Sequence, residues 1–257
     1  MNFNESITAL WVLVYKEVRR FMRIWIQTLI PPVITMTLYF VIFGNLIGSR
    51  VGEMGGFDYM QYITPGLVMM AVITNAYSNV ASSFFGAKFQ RSVEEMLVSP
   101  MPSWVIVLGF VLGGVARAII VGLLVLIVSL FFTDIHIHNF ILTAIIFLCT
   151  AILFALGGFL NALFSTKFDD ISIVPTFVLT PLTYLGGIFY SIDLLPDFWR
   201  AVSFINPVVY IISAFRFGML GVADVPVWLS VGMISAFIAV FFTLCVYLMD
   251  KGVGMRT

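Results

Sequence analysis

Long apolar runs, separated by short segments that hold most of the charge, set the pattern of this chain. About 20 apolar residues suffice for a helix to cross the hydrocarbon core of a bilayer. On that criterion the pattern predicts six crossings, at 24–47, 65–85, 104–132, 140–164, 171–190 and 227–249. Pro31 and Pro32 fall in the opening turns of the first, and Pro175 and Pro181 lie inside the fifth. A shorter run, 201–215, lies between Arg200 and Arg216 and is interrupted at Asn206-Pro207. It is too short for a crossing and is expected to be re-entrant or interfacial.

Two segments are amphipathic instead. In 1–23, Ile7, Leu10, Trp11, Val14, Val18 and Phe21 form one helical stripe, and Lys16, Arg19, Arg20 and Arg23 line the other face. This predicts a helix lying in the membrane surface with its cations toward headgroups and water. In 87–99, Phe89, Val93, Met96 and Leu97 share a face opposite Lys88, Arg91 and Glu95, with Glu94 alongside. Pro100 and Pro102 stop that helix. A short amphipathic helix between crossings serves as a solvated loop, an interfacial element or a docking knob for a soluble partner, and the rest of the chain favours the knob.

Charge then orients the bundle. With six crossings, Lys16, Arg19, Arg20, Arg23, Lys88, Arg91, Lys167, Lys251 and Arg256 fall on one side, and only Arg50, Arg200 and Arg216 on the other. Cytoplasmic loops carry the excess of Lys and Arg, so both termini are expected in the cytoplasm. Counting 201–215 as a seventh crossing would put Lys251 and Arg256 outside. Composition supports one integral membrane domain over 1–257. Hydrophobic residues make up 61% and charged ones 10%, against about 25% charged in soluble domains. The first apolar run is longer than a signal-peptide core and lacks a small-residue cleavage pattern. A net charge of +0 points to no nucleic-acid partner. Cys149 and Cys245 sit toward opposite faces within apolar runs, so no disulfide is expected.

Candidate chemistry inside the crossings is sparse. Arg117 is the one charge well within a run, in a structural role or in a pathway or gate. Neutral polar residues form stripes on three runs: Thr28, Thr35 and Tyr39; Asn75, Ser78, Asn79 and Ser82; and Thr176, Thr180 and Thr183 with Tyr184 at the edge. Such stripes either join helices by hydrogen bonds or line a path through the bundle. No phosphate-binding loop of its own and no metal motif is present. Asp134, His136 and His138 read as a solvated outer loop. A secondary transporter would show ionisable coupling residues or repeated halves. An intramembrane enzyme would show a polar catalytic cluster. Neither signature is found, and a membrane scaffold without ATP coupling stays open.

Residues 175–221, PTFVLTPLTYLGGIFYSIDLLPDFWRAVSFINPVVYIISAFRFGMLG, resemble the signature region of ABC-2 type transport permeases. So do FMRIWIQTLIPPVITMTLYFVIFGNLIG at 21–48 and SSFFGAKFQRSVEEMLVSP at 82–100. The resemblance implies an all-α exporter subunit of the bacterial inner membrane with six crossings. It implies the surface helix 1–23, a coupling helix at 87–99 and an outer re-entrant region at 191–222. It further implies a homodimer working with two copies of a separate ATPase that binds ATP and Mg, this chain holding no cofactor. Phe89, Arg91, Glu94, Glu95 and Met96 would then meet the ATPase, and Thr35, Tyr39, Asn75, Asn79, Thr180 and Tyr184 would face the path between two permease copies. The neutral stripes suit an amphipathic, lipid-like or glycolipid substrate.

Overall fold

The computed structural model describes residues 2–254, the side chains of 45, 46 and 49 excepted; Arg256, counted above among the inner basic residues, lies outside them. The N-terminal helix α1 (Phe3–Arg23) opens on a capping box in which Asn2 and Glu5 exchange hydrogen bonds, and it breaks at Ile24. Helix α2 (Trp25–Tyr39) follows and widens into a π-helical stretch, Phe40–Gly48. A single turn, α3 (Ser49–Val51), leads to a two-stranded hairpin, β1 (Glu53–Met54) and β2 (Phe57–Asp58). Its two turn residues, Gly55 and Gly56, both have positive φ, as tight hairpin turns require.

The centre of the molecule is α4 (Tyr59–Phe89), 31 residues and so about 46 Å long. It is packed between α6 (Ser103–Ser129) and α7 (Phe140–Phe164) and also touches α11 (Pro207–Leu220). Between α4 and α6 lies the short α5 (Ser92–Val98). The last helix, α12 (Val227–Asp250), covers α7 and α11. Close approach of α7 to α4 depends on Gly158, where an added Cβ would collide with the backbone of Tyr77.

Among the described residues, four helices are long and apolar enough to cross a membrane: 25–44, α6, α7 and α12. A fifth candidate is the pair α10 (Asp197–Ile205) and α11, which bends by 89° at Asn206 and is a broken span or a re-entrant loop. Two of the six expected crossings therefore differ from the sequence pattern. The second, α4, is the longest helix but is diluted by Thr64, Asn75, Asn79 and Ser83, all of which it buries against protein. The fifth extends only from Asp170 to Tyr184, in three pieces: α8 (Asp170–Val174), a π-helical turn (Pro175–Leu179) and α9 (Thr180–Tyr184). Pro181 has no N–H, so the carbonyl of Phe177 loses its usual donor. Beyond Tyr184 the chain turns at Gly186 and Gly187 (φ 77°) rather than continuing to Tyr190.

The loops assigned to a common side lie together. At one end Lys88 donates to the carbonyls of Leu163 (2.9 Å) and Ser165 (2.8 Å), tying α4 to α7. At the other, the amides of His138 and Asn139 donate to the carbonyls of Met219 and Gly218, tying the α6–α7 loop to α11. Helix α1 lies across α6, with Leu13 over Gly109 and Glu17 over Gly113. It is rolled about one residue from the predicted stripe. Its buried face is Ser6, Leu13, Glu17 and Phe21, while Ile7 and Trp11 point outward.

Candidate functional site

The amphipathic segment expected as one helix over 87–99 is divided. Helix α4 runs on to Phe89, the backbone reverses at Arg91 (φ 58°), and α5 starts at Ser92. The predicted apolar face is divided with it. Val93 is buried and Met96 and Leu97 half-buried against the bundle, whereas Phe89 stays 66% exposed. Its ring rests against Phe85 and Phe168. Arg91, Glu94, Glu95 and Val98 are exposed beside it, so the outward surface joins an aromatic tip to mixed charge. A cleft of about 250 Å³ runs along it between Lys88, Val93, Glu94 and Thr166. Nearby, Asp170 accepts hydrogen bonds from the amides of Thr166 and Lys167 and from the Thr166 hydroxyl, which hold its carboxyl below the ordinary range.

The candidate pathway residues separate into two places. Tyr39 and Tyr184 meet, their hydroxyls 2.9 Å apart. Phe189 stacks on Phe43 at 4.3 Å and approaches both tyrosines. Thr35 and Thr180 are exposed on the same two elements. Both elements carry a π-helical stretch adjoining this contact, a geometry frequent at functional sites. Asn75 and Asn79 are elsewhere, buried in the body of the bundle. Asn75 donates to its own helix at the Ala71 carbonyl. Asn79 accepts from Arg20 of α1 at 2.9 Å.

Arg20 also pairs with Glu17 at 3.2 Å, and Glu17, 1% exposed, accepts from the Ser83 hydroxyl. This cluster joins α1 to α4. Sequence reasoning missed Glu17, although an acid flanked by the apolar stripe of α1 was visible. Arg117 lies close by and has a definite partner, donating to the Thr28 carbonyl at 3.1 Å. That carbonyl lost its helical donor to Pro32, four residues on, which has no N–H. The intramembrane charge thus fills a vacancy that a proline opened.

A fully buried arginine is also missed by the sequence pattern. Arg216, taken as a charge flanking an outer segment, is 0% exposed within α11. It bonds Asp224 (2.6 Å) and the Gly187 carbonyl (2.6 Å) and lies 4.0 Å from the centre of the Tyr62 ring. The signal was its position between Phe215 and Phe217 in an apolar run, with Asp224 shortly after. It locks α11 to α4 and to the turn after α9.

These features have relatives. The chain is 59% identical over 252 residues to the inner membrane transport permease YadH of Escherichia coli strain K12, covering 98% of this chain and 97% of that one. It is 24% identical over 215 residues to nodulation protein J of Rhizobium leguminosarum bv. viciae, covering 83% of each. Nodulation protein J of Rhizobium meliloti is 23% identical over 215 residues, covering 83% of this chain and 82% of that one. The ABC-2 type transporter family matches residues 8–220. With that match over most of its length and a near-full-length permease relative, the chain belongs to the ABC-2 type transporter family, as an inner-membrane permease subunit rather than an enzyme.

Proposed function

We propose that this permease is half of a homodimeric, ATP-driven exporter with six crossings per chain, counting α4 and the broken α8–α9 segment, and with both termini in the cytoplasm. The family pairs its permeases with an ABC ATPase; two copies of that subunit would bind ATP and Mg and dock at the α4–α5 junction. The observation that carries this reading is the junction itself. The aromatic tip of Phe89 and the charges of Arg91, Glu94 and Glu95 stand out from the bundle, while Val93 anchors the turn beneath them and Met96 partly covers it. Because α5 follows α4 after a single reversed residue, a push on it reaches the central helix without a flexible linker.

The Tyr39–Tyr184 face, with Thr35 and Thr180, would line the path between two copies. Hydroxyls set among aromatic rings suit an amphipathic, lipid-like or glycolipid substrate. Asn75 and Asn79 would act on that path through α4 and α1, since both are enclosed.

The test reconstitutes the permease with its ATPase and compares Phe89→Ala and Glu94→Lys with wild type. The expected result is normal insertion and intact basal ATP hydrolysis by the partner, with transport and its stimulation of hydrolysis falling about tenfold or more. Wild-type copurification and stimulation in both variants would place the ATPase elsewhere.

A further inference from the structure

A groove of about 440 Å³ opens between α4, α7, α12 and the α8–α9 segment, and neither Tyr39 nor Tyr184 lines it. Its size falls in the range of small-molecule sites. Phe154, Leu160, Val178, Leu182, Phe237 and Phe241 form most of an apolar wall. Asn161 and Tyr77 are the polar members of the lining, and Asn161 donates to the Ile171 carbonyl. Tyr77 differs from it, being only 3% exposed with a hydroxyl that has no hydrogen-bond partner among the described residues.

An unpaired buried hydroxyl is costly, and native proteins seldom leave one. Other hydroxyls of α4 return to their own helix: Thr64 to Met60, Thr74 to Met70, Ser82 to Ser78. The rigid phenol of Tyr77 holds its oxygen beyond reach of that turn.

Depth decides what can answer it. The groove runs from Asn161 and Phe164 at the end of α7 to Phe237 and Phe241 mid-way along α12, and in a bilayer the part beside Tyr77 faces hydrocarbon rather than water. Tyr77 stands twelve residues before Phe89, about 18 Å along the helix, near the middle of a core about 30 Å thick. The ester oxygens of a phospholipid stay at the interface and do not reach that level. We propose that this groove binds a bilayer-dissolved apolar molecule carrying one acceptor oxygen, a ketone or an ether, within its hydrocarbon body, and that the Tyr77 hydroxyl donates to it. The inference requires the bundle to sit in a bilayer and is independent of the transport reading.

The experiment places the permease alone in lipid nanodiscs with a phosphatidylcholine bearing a mid-chain diazirine, and maps the photolabel by peptide. Two competitors are compared: a fatty acid with a mid-chain ketone and the saturated fatty acid of equal length. In the wild-type chain, labelling of α7 and α12 should be displaced about fivefold more effectively by the ketone, the worth of one net hydrogen bond. Tyr77→Phe keeps the ring and should remove that preference. Gly157→Leu places its side chain between Tyr77 and Phe241, where a Cβ has ordinary contacts, and should abolish groove labelling without loss of fold by thermal melting. Equal displacement by the two competitors in wild type overturns the proposal. So does a ketone preference that survives Tyr77→Phe, or groove labelling that survives in Gly157→Leu.

Discussion

Arg117 and Pro32 are best understood as one unit. Pro32, the eighth residue of α2, frees the carbonyl of Thr28, and a guanidinium from α6 takes the place of the missing amide. Losing that donor leaves a buried carbonyl unpaired, at about 1–3 kcal/mol. Arg117→Met should therefore lower thermal stability by that amount. Adding Pro32→Ala restores an N–H at the position where the helix needs it and should recover most of the loss. Melting of the single and double variants in detergent measures both steps; no recovery in the double variant would separate the arginine from the proline. Neither partner reveals the other in the sequence. Eighty-five positions separate them, and a lone arginine in an apolar run advertises only that something must receive it.

Among the elements, apolar periodicity located the helices well and their faces less well. Runs 140–164 and 227–249 became α7 and α12 almost to the residue. The roll of α1 escaped because its docking is set by Gly109 and Gly113 on a distant helix, and small residues leave no hydrophobic trace. The division at Arg91 escaped because a non-glycine residue with positive φ has no strong sequence mark. The Arg216–Asp224 pair offers a direct check on how firmly α11 is held. Arg216→Met leaves the half-buried Asp224 carboxylate with only the Ser191 hydroxyl and should cost about 3 kcal/mol. Pairing it with Asp224→Leu removes the stranded charge and should return much of that stability, read by denaturation of the two variants side by side. A double variant no better than the single would mean that the guanidinium acts mainly through Gly187 and Tyr62.

On the scale of the whole molecule, the tied ends give two surfaces with distinct charge, and labelling can assign them. In a chain without Cys149 and Cys245, single cysteines at Ser92 and Asp169 should react with an impermeant maleimide only from the cytoplasm. One at Asn139 should react only from outside. A cysteine at Ile205, exposed at the bend between α10 and α11, should stay unlabelled from the cytoplasm in intact cells. Cytoplasmic labelling there would make the bent pair a true span. The number of crossings was the least legible property of the fold, because hydropathy measures contact with lipid, and this protein's middle layer has little of it.

That layer bears on how the protein is made. Helix α4 buries 24 of its 31 residues and is not among the helices apolar enough to enter a bilayer on their own composition. Its asparagines and serines find partners only on α1 or within its own turns, and its small-residue contacts exist only once α6 and α7 stand beside it. During synthesis it emerges before both. The partners of its polar residues on α1 are already made when it emerges, whereas its enclosure is complete only once α6 and α7 have followed, so the central helix becomes the core of the bundle only as the later helices pack on it.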